Sequence, residues 1–163
     1  MTKADNKRLE LARLVAGHLL DHGLADCGIR TLAAAAATSD RMLIYYFGSK
    51  EALVEQALGV IADGMAAQLD AEVGGQQRSA DALYERLLTV ASGSAFQPTI
   101  RLWFELVGMA VRGEEPYRST AERIGRTWLT WIEGKLPARQ RHQAEALFAR
   151  LEGRLMMQAI GMD

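Results

Sequence analysis

Helical spacing of apolar residues runs along almost the whole chain, and it limits the possible folds more than any other feature of the sequence. Only three prolines occur, Pro98, Pro116 and Pro137, and the signals for turns lie far apart. Apolar residues three or four positions apart indicate amphipathic helices, whereas strands would show an alternating pattern. The sequence therefore predicts an all-α fold.

Glycines, prolines and capping residues predict where each helix begins and ends. The first predicted helix ends at Gly23, because glycine commonly follows a helix C-terminus. The predicted helices run roughly from Asp5 to His22, in two short segments between Ile29 and Phe47, and from Lys50 to Val73. The next helix is capped by Ser79 and runs through Ala91, and it is followed by helices from Pro98 to Arg112 and from Pro116 to about Gly134. The last predicted helix opens at Pro137.

Composition bounds the size and class of the protein. A chain of 163 residues with 49% hydrophobic residues can bury a core of its own without disulfides or a metal. Cys27 is the single cysteine, so an intrachain disulfide is impossible. No stretch reaches the roughly 20 apolar residues of a membrane span, and the charged start does not form a signal peptide. We therefore expect a soluble protein of the cytoplasm.

Charge is unevenly distributed along the chain. The formal net charge of −1 argues against a protein that coats nucleic acid nonspecifically. Residues 1–50 contain 7 lysines and arginines against 5 acidic residues, whereas residues 51–163 contain 12 against 15. The sign of this difference favours an N-terminal segment that faces an anion.

The segment RTLAAAAATSDRMLIYYFGSKEAL predicts two short helices that pack closely. The alanines at 33–37 favour a helix and carry no bulk, so another helix can approach them. Ser39 is a good N-cap for a second helix that begins at Asp40. Leu43 and Phe47 share one face of that helix, and with Ile44 beside them they should anchor it to the core.

The opposite face of the second short helix is unusual for plain solvent exposure. It would present Arg41 and Met42 together with Tyr45 and Tyr46, and Asp40 would lie at its leading end. A recognition helix presents such side chains to the major groove of DNA. Arginine can bond guanine, methionine can touch a thymine methyl group, and tyrosine can reach phosphate or base. This face therefore predicts binding to double-stranded DNA.

Lys50 falls in the first turn of the following helix, where a cation opposes the helix dipole. A DNA phosphate docked there would remove the conflict, since backbone N–H groups and the lysine would both face the anion. Alternatively, Lys50 is solvated and Glu51 beside it offsets the cost.

From about Leu9 to Leu58 the sequence resembles the DNA-binding region of the TetR family of transcription regulators. The motifs that carry the resemblance are the helix ending in Gly23, the segment at 29–33, Ser39, the pair Leu43 and Phe47, and the segment at 49–53. The resemblance implies a helix-turn-helix domain at residues 1–49 and a helical ligand-binding and dimerisation domain at 50–163. It implies that the DNA-binding residues are Arg30, Thr31, Ser39, Asp40, Arg41, Met42, Tyr45, Tyr46 and Lys50.

The chain departs from the family pattern at four positions. Gly28 stands where a small or polar cap is usual, and Ala37 holds a turn position often occupied by glycine. Met42 replaces a small or hydroxyl residue, so the base preference of relatives does not carry over. Ile44 replaces a common tyrosine, and because we expect Ile44 to be buried, we assign the phosphate contact to Tyr45.

The resemblance further implies a homodimer, a pseudo-palindromic operator and repression that a small-molecule effector relieves. The predicted dimer interface contains Leu147, Phe148, Leu151, Leu155 and Ala159, although this stripe could instead face the protein's own core. The predicted effector pocket contains Met65, Leu69, Tyr84, Leu88, Phe96, Trp103, Phe104, Met109 and Trp128, each of which could equally be ordinary core.

Two further features of the C-terminal part bear on the response to an effector. Arg101 and Glu105 are spaced to pair on a helix surface, and either would mark a polar ligand group if it pointed inward. The helix that begins at Lys50 is expected to move when the effector binds and to change the separation of the two DNA-binding heads.

Two other classes of protein compete with this interpretation. His18, His22 and Cys27 could be drawn as zinc ligands, but no fourth ligand or catalytic carboxylate is evident, and no nucleophile or phosphate-loop motif occurs. We therefore expect no enzyme activity, no metal and no cofactor. The second alternative is a helical interaction or scaffold protein that has lost specific DNA binding.

Overall fold

The computed structural model describes residues 2–162, and these residues form helices and no strand. The α-helices are α1 (Lys3–His22), α2 (Ile29–Ala35), α3 (Asp40–Phe47), α4 (Lys50–Val73), α5 (Ala80–Ala91), α6 (Gln97–Val111), α7 (Tyr117–Lys135) and α8 (Ala144–Ala159). A 3-10 helix over Ala138–Gln143 precedes α8. The predicted all-α fold is confirmed.

Most predicted boundaries fall within two residues of the observed ones, because local capping groups determine them. The first helix begins earlier than predicted, since Thr2 and Asp5 form a capping box in which the Thr2 hydroxyl accepts from Asp5 N at 3.1 Å. The last helix was predicted to open at Pro137, and this was wrong. Pro137 starts the 3-10 helix instead, and its carbonyl oxygen accepts from Gln140 N at 2.8 Å.

The chain divides into two compact units. The first contains residues up to 63 together with residues 105–121. In it, α1, α2 and α3 pack against one another. Their buried side chains include Leu11, Val15, Leu19, Leu32, Leu43 and Phe47. A three-helix head is thus assembled around leucines at helical spacing, as the apolar pattern of α1 predicts.

The second unit contains residues 64–104 and the chain from 122 onward. Here α5 packs on α8. One apolar cluster fills this unit, and its fully buried members include Leu83, Leu87, Ile132 and Leu136. At one edge of the unit Trp131 Nε1 donates to Asp70 at 3.0 Å, and Lys135 Nζ lies 2.5 Å from the same carboxylate.

Three helices contribute residues to both units. The division falls after residue 63 in α4, after 104 in α6 and after 121 in α7. The functional boundary predicted between residues 49 and 50 stays a prediction. None of the described helices is long and apolar enough to span a membrane.

Candidate nucleic-acid interface

The connection between α2 and α3 is a tight turn of residues 36–39. Ala37 has φ +48, which makes it the one residue other than glycine with positive φ in the described chain. Thr38 N donates to the Ala33 carbonyl at 2.9 Å and closes the turn. Glycine adopts this left-handed conformation more readily than alanine does. The alanine run was predicted to be helical as far as 37, which was wrong, because α2 ends at Ala35.

Capping groups define both ends of α3. Ser39 Oγ accepts from Met42 N at 3.2 Å, which confirms the predicted N-cap. At the other end Gly48 has φ +81, and its N–H donates to the Ile44 carbonyl at 2.8 Å. The recognition-helix candidate therefore spans Asp40–Phe47, as the sequence predicts.

Leu43 and Phe47 are buried and fix α3 to the core of the first unit. Ile44 was assigned to the same buried side, and this was wrong, since 41% of the residue is exposed. Ile44 and Tyr46 flank the anchor face at about 80° on either side, given 100° of rotation per residue. The structure turns Tyr46 partly inward and Ile44 outward.

The outward surface of α3 combines polar, aromatic and apolar side chains. Asp40 and Arg41 lie exposed in its first turn, and Met42 is 39% exposed. Tyr45 is 77% exposed, and its ring forms a T-shaped pair with the Tyr46 ring at a centroid distance of 5.1 Å. Ile44 joins this surface. We name these exposed residues of α3 (Asp40, Arg41, Met42, Ile44 and Tyr45) the reading face.

The residues outside α3 that are predicted to contact DNA include three at the starts of α2 and α4, in the same unit. Arg30 is exposed and Thr31 is half-buried in the first turn of α2. Lys50 is half-buried at the start of α4, and its ammonium lies 3.7 Å from the Glu51 carboxylate. Ser49 Oγ accepts from Ala52 N at 3.1 Å and caps α4. This contact fits the alternative in which Glu51 offsets the unfavourable position of Lys50, and the phosphate contact stays a prediction.

The turn between α1 and α2 is held by side chains from far along the chain. Glu105 Oε2 accepts from Leu24 N at 2.7 Å. Cys27 is buried, and its Sγ lies 4.0 Å from the Tyr117 hydroxyl. Burial, with a contribution from Cys27, raises the pKa of Tyr117 to about 12, so this hydroxyl stays protonated at neutral pH. Glu105 thus binds the backbone of this turn, and no ion pair between Glu105 and Arg101 occurs among the described residues.

The residues that could be drawn as a zinc site have other contacts. The rings of His18 and His22 stack with centroids 4.3 Å apart. His18 Nε2 lies 3.2 Å from the Asp26 carbonyl oxygen, and Cys27 faces Tyr117. Within residues 2–162 no group of three or more His, Cys, Asp or Glu side chains is placed to hold a metal ion.

Eight of the nine predicted pocket residues lie in the second unit, whereas Met109 lies in the first. Three of them, Leu69, Tyr84 and Phe96, are buried in the apolar cluster. Four others are partly buried against it, namely Met65, Leu88, Phe104 and Trp128. Their placement fits core packing as well as it fits a pocket lining.

Trp103 and Glu152 form a polar contact in the second unit. Trp103 Nε1 donates to Glu152 Oε2 at 2.6 Å. Burial raises the pKa of Glu152 above its ordinary value, and the indole hydrogen bond opposes part of that rise. No cationic side chain among the described residues forms an ion pair with Glu152.

The predicted dimer stripe faces mainly inward. Leu147, Leu151 and Leu155 are buried in the apolar cluster, and Phe148 is partly buried against it. Only Ala159 is exposed. Beyond the stripe, Met156 and Ile160 are one helical turn apart, 49% and 65% exposed. The interface stays a prediction, and these two residues offer the apolar surface that the stripe itself does not.

Three packed helices, of which the third is exposed on one face, form the architecture of a helix-turn-helix domain. Residues 18–57 match the family model of bacterial regulatory proteins, tetR family. This segment therefore resembles the helix-turn-helix of that family, and the chain shares the fold of solved TetR-family structures. No curated protein sequence matches the chain.

Solved structures share the fold over nearly the full chain. A protein from Rhodococcus sp. described as a TetR-family transcriptional regulator has a TM-score of 0.77 and 22% identity, over 98% of this chain and 90% of that one. A protein from Streptomyces coelicolor A3(2) described as a transcriptional regulator has a TM-score of 0.77 and 21% identity, over 96% and 89%. The multidrug binding protein EbrR, complexed with proflavin, has a TM-score of 0.69 and 21% identity, over 93% and 87%.

Proposed function

We propose that this protein is a cytoplasmic, ligand-responsive transcription repressor that binds a pseudo-palindromic operator as a homodimer. The observation that carries the proposal is the reading face of α3, which exposes Arg41 and Tyr45 on a helix capped by Ser39 and anchored by Leu43 and Phe47. A helix so placed can enter the major groove. Since one such helix contacts few base pairs, a single copy binds DNA weakly. A twofold dimer that contacts two half-sites binds the operator more tightly.

Effector binding is proposed for the second unit, where the partly buried aromatic side chains lie. Glu152 and Trp103 together offer a desolvated carboxylate and an indole ring, a combination that suits a flat organic cation. The complex of EbrR with proflavin supports an aromatic ligand in this fold. Release from DNA would follow a shift between two conformations, and the continuity of α4 across both units supports its part in that shift.

The central experiment is selection of bound fragments from the genome of the source organism. We expect enrichment of a palindrome whose half-sites lie one helical turn of DNA or a multiple apart. Failure to enrich any palindrome would refute the proposed regulator function and favour the alternative of a helical interaction or scaffold protein.

Two substitutions separate base reading from phosphate contact on the selected site. Arg41→Ala should cost about 1 to 3 kcal/mol on the best site and relax the sequence preference, because bidentate base contacts discriminate by that amount. Lys50→Ala should weaken all sequences similarly and reduce the slope of log affinity against log salt by roughly 1. Fluorescence anisotropy titrations at several salt concentrations measure both effects.

Arg139→Ala is the charge-matched control, because Arg139 is exposed in the 3-10 helix of the second unit. It should leave affinity, sequence preference and salt slope unchanged. An Arg41→Ala protein with the same sequence preference as wild type would contradict the assignment of Arg41 to base reading.

A further inference from the structure

The turn between α1 and α2, residues 23–28, is fixed by a carboxylate 81 positions away from the backbone amide that it binds. We propose that Glu105 is a positioning residue for DNA reading. It does not touch DNA itself but holds the turn from which α2 starts. This inference rests on the proposed function, because it concerns the accuracy with which the helix-turn-helix is presented.

Gly23 lies directly beside the Glu105 carboxylate. The residue has φ +77, a conformation that favours glycine. A Cβ at this position would lie 2.6 Å from both carboxylate oxygens of Glu105. Because Gly23 has no side chain, the Glu105 carboxylate has room to reach Leu24 N. The conformation of the turn and the position of the Glu105 side chain therefore both depend on Gly23.

The start of α2 has little support of its own. Its N-cap is Gly28, which has no side chain to accept a hydrogen bond from the first turn. The direction of α2 must therefore be fixed by packing and by the preceding turn. That turn is held at Leu24 by Glu105 and contacted at Cys27 by Tyr117.

The position of this turn affects residues that are predicted to contact DNA. Arg30 and Thr31 lie in the first turn of α2, and α2 packs against α3, which carries the reading face. Loss of the Glu105 contact would let the turn and the start of α2 move together. A misplacement of this kind lowers operator affinity without removing any group that contacts DNA.

Charge and reach of the side chain can be varied separately at position 105. Glu105→Ala removes a negative charge, which by electrostatics alone would strengthen DNA binding. Positioning predicts the opposite, about three- to tenfold weaker operator binding, the usual range for one lost hydrogen bond. Glu105→Asp keeps the charge but shortens the reach and should weaken binding similarly. Glu105→Gln keeps the reach and an acceptor oxygen and should bind within about twofold of wild type.

Glu10→Ala is the matched control, because Glu10 is an exposed acidic residue of the same unit whose partner is Lys7 on its own helix. It should bind operator as wild type or slightly more tightly. Anisotropy titrations on the selected operator measure every variant, and stoichiometric titration corrects for the active fraction. Urea unfolding tests whether each variant is folded. If Glu105→Ala does not fold, the comparison of Glu105→Asp with Glu105→Gln tests the positioning role.

Amide hydrogen exchange at Leu24 supplies a readout without DNA. Exchange should be faster in Glu105→Ala and Glu105→Asp than in wild type, and Glu105→Gln should restore its protection. If the Ala and Asp variants bind the operator as tightly as wild type, the positioning role is refuted while the proposed function stands. If the wild-type protein selects no sequence, the proposed function is refuted, and the role of Glu105 in DNA reading falls with it.

Discussion

A single methyl group at Ala37 sets the strain in the turn of the helix-turn-helix. An L-residue in the left-handed region carries a conformational cost of roughly 1 to 2 kcal/mol, which glycine avoids at the expense of greater freedom in the unfolded chain. The alanine with φ +48 therefore stores strain next to the reading face.

Ala37→Gly should raise the free energy of unfolding by about 0.5 to 1 kcal/mol, because relief of strain exceeds the entropy cost of glycine. Ala34→Gly is the matched control, since Ala34 is exposed within α2. There glycine should lower stability by about 1 kcal/mol. Urea denaturation of the two variants and the wild type measures both values, and equal losses for the two glycines would contradict the strained turn.

The hydrogen bond between Trp103 of α6 and Glu152 of α8 leads us to predict that the stability of the second unit depends on pH. Because burial raises the pKa of Glu152 above 4.5, the folded protein binds this proton more tightly than the unfolded chain does. The contribution of Glu152 is thus most favourable below the unfolded pKa and is lost as pH rises through the folded pKa.

Glu152→Gln should therefore gain stability relative to wild type as pH rises from about 4 to 7, because the amide can still accept from Trp103 and needs no deprotonation. Urea unfolding at several pH values measures this difference. Glu145→Gln, at an exposed position of α8, is the control for the loss of one negative charge from this helix. A constant difference between Glu152→Gln and wild type would contradict a raised pKa.

Elements whose ends depend on neighbouring residues were predictable from the sequence. Ser39 and Gly48 enclose α3, and each acts through a hydrogen bond within four residues. The inward or outward direction of Ile44 and Tyr46 was not predictable, because both flank the anchor face at similar angles and the packing partner decides between them. Glu105 was missed for a different reason, since a contact across 81 positions leaves no local pattern.

At the scale of the whole molecule, the proposed dimer needs apolar surface that the protein's own core does not use. Met156 and Ile160 provide such surface near the end of α8. The double substitution Met156→Lys and Ile160→Lys should weaken dimerisation at least tenfold while leaving the fold intact, because charges would be buried at the interface. Sedimentation velocity over a range of concentrations measures the dissociation constant.

Leu151→Ala provides the contrast, because Leu151 is buried in the apolar cluster. It should lower the free energy of unfolding by about 2 to 5 kcal/mol through loss of core packing. Dimerisation unchanged by the double lysine variant would show that another surface joins the two copies.

The inclusion of residues 105–121 in the first compact unit bears on protein engineering. A chimera that joins residues 1–49 of this chain to the C-terminal part of another protein of this fold would separate Leu24 from Glu105 and Cys27 from Tyr117. The recipient part would have to supply the matching acidic and phenolic residues. Exchange of C-terminal parts among proteins of this fold is therefore constrained by residues far along the sequence from the junction.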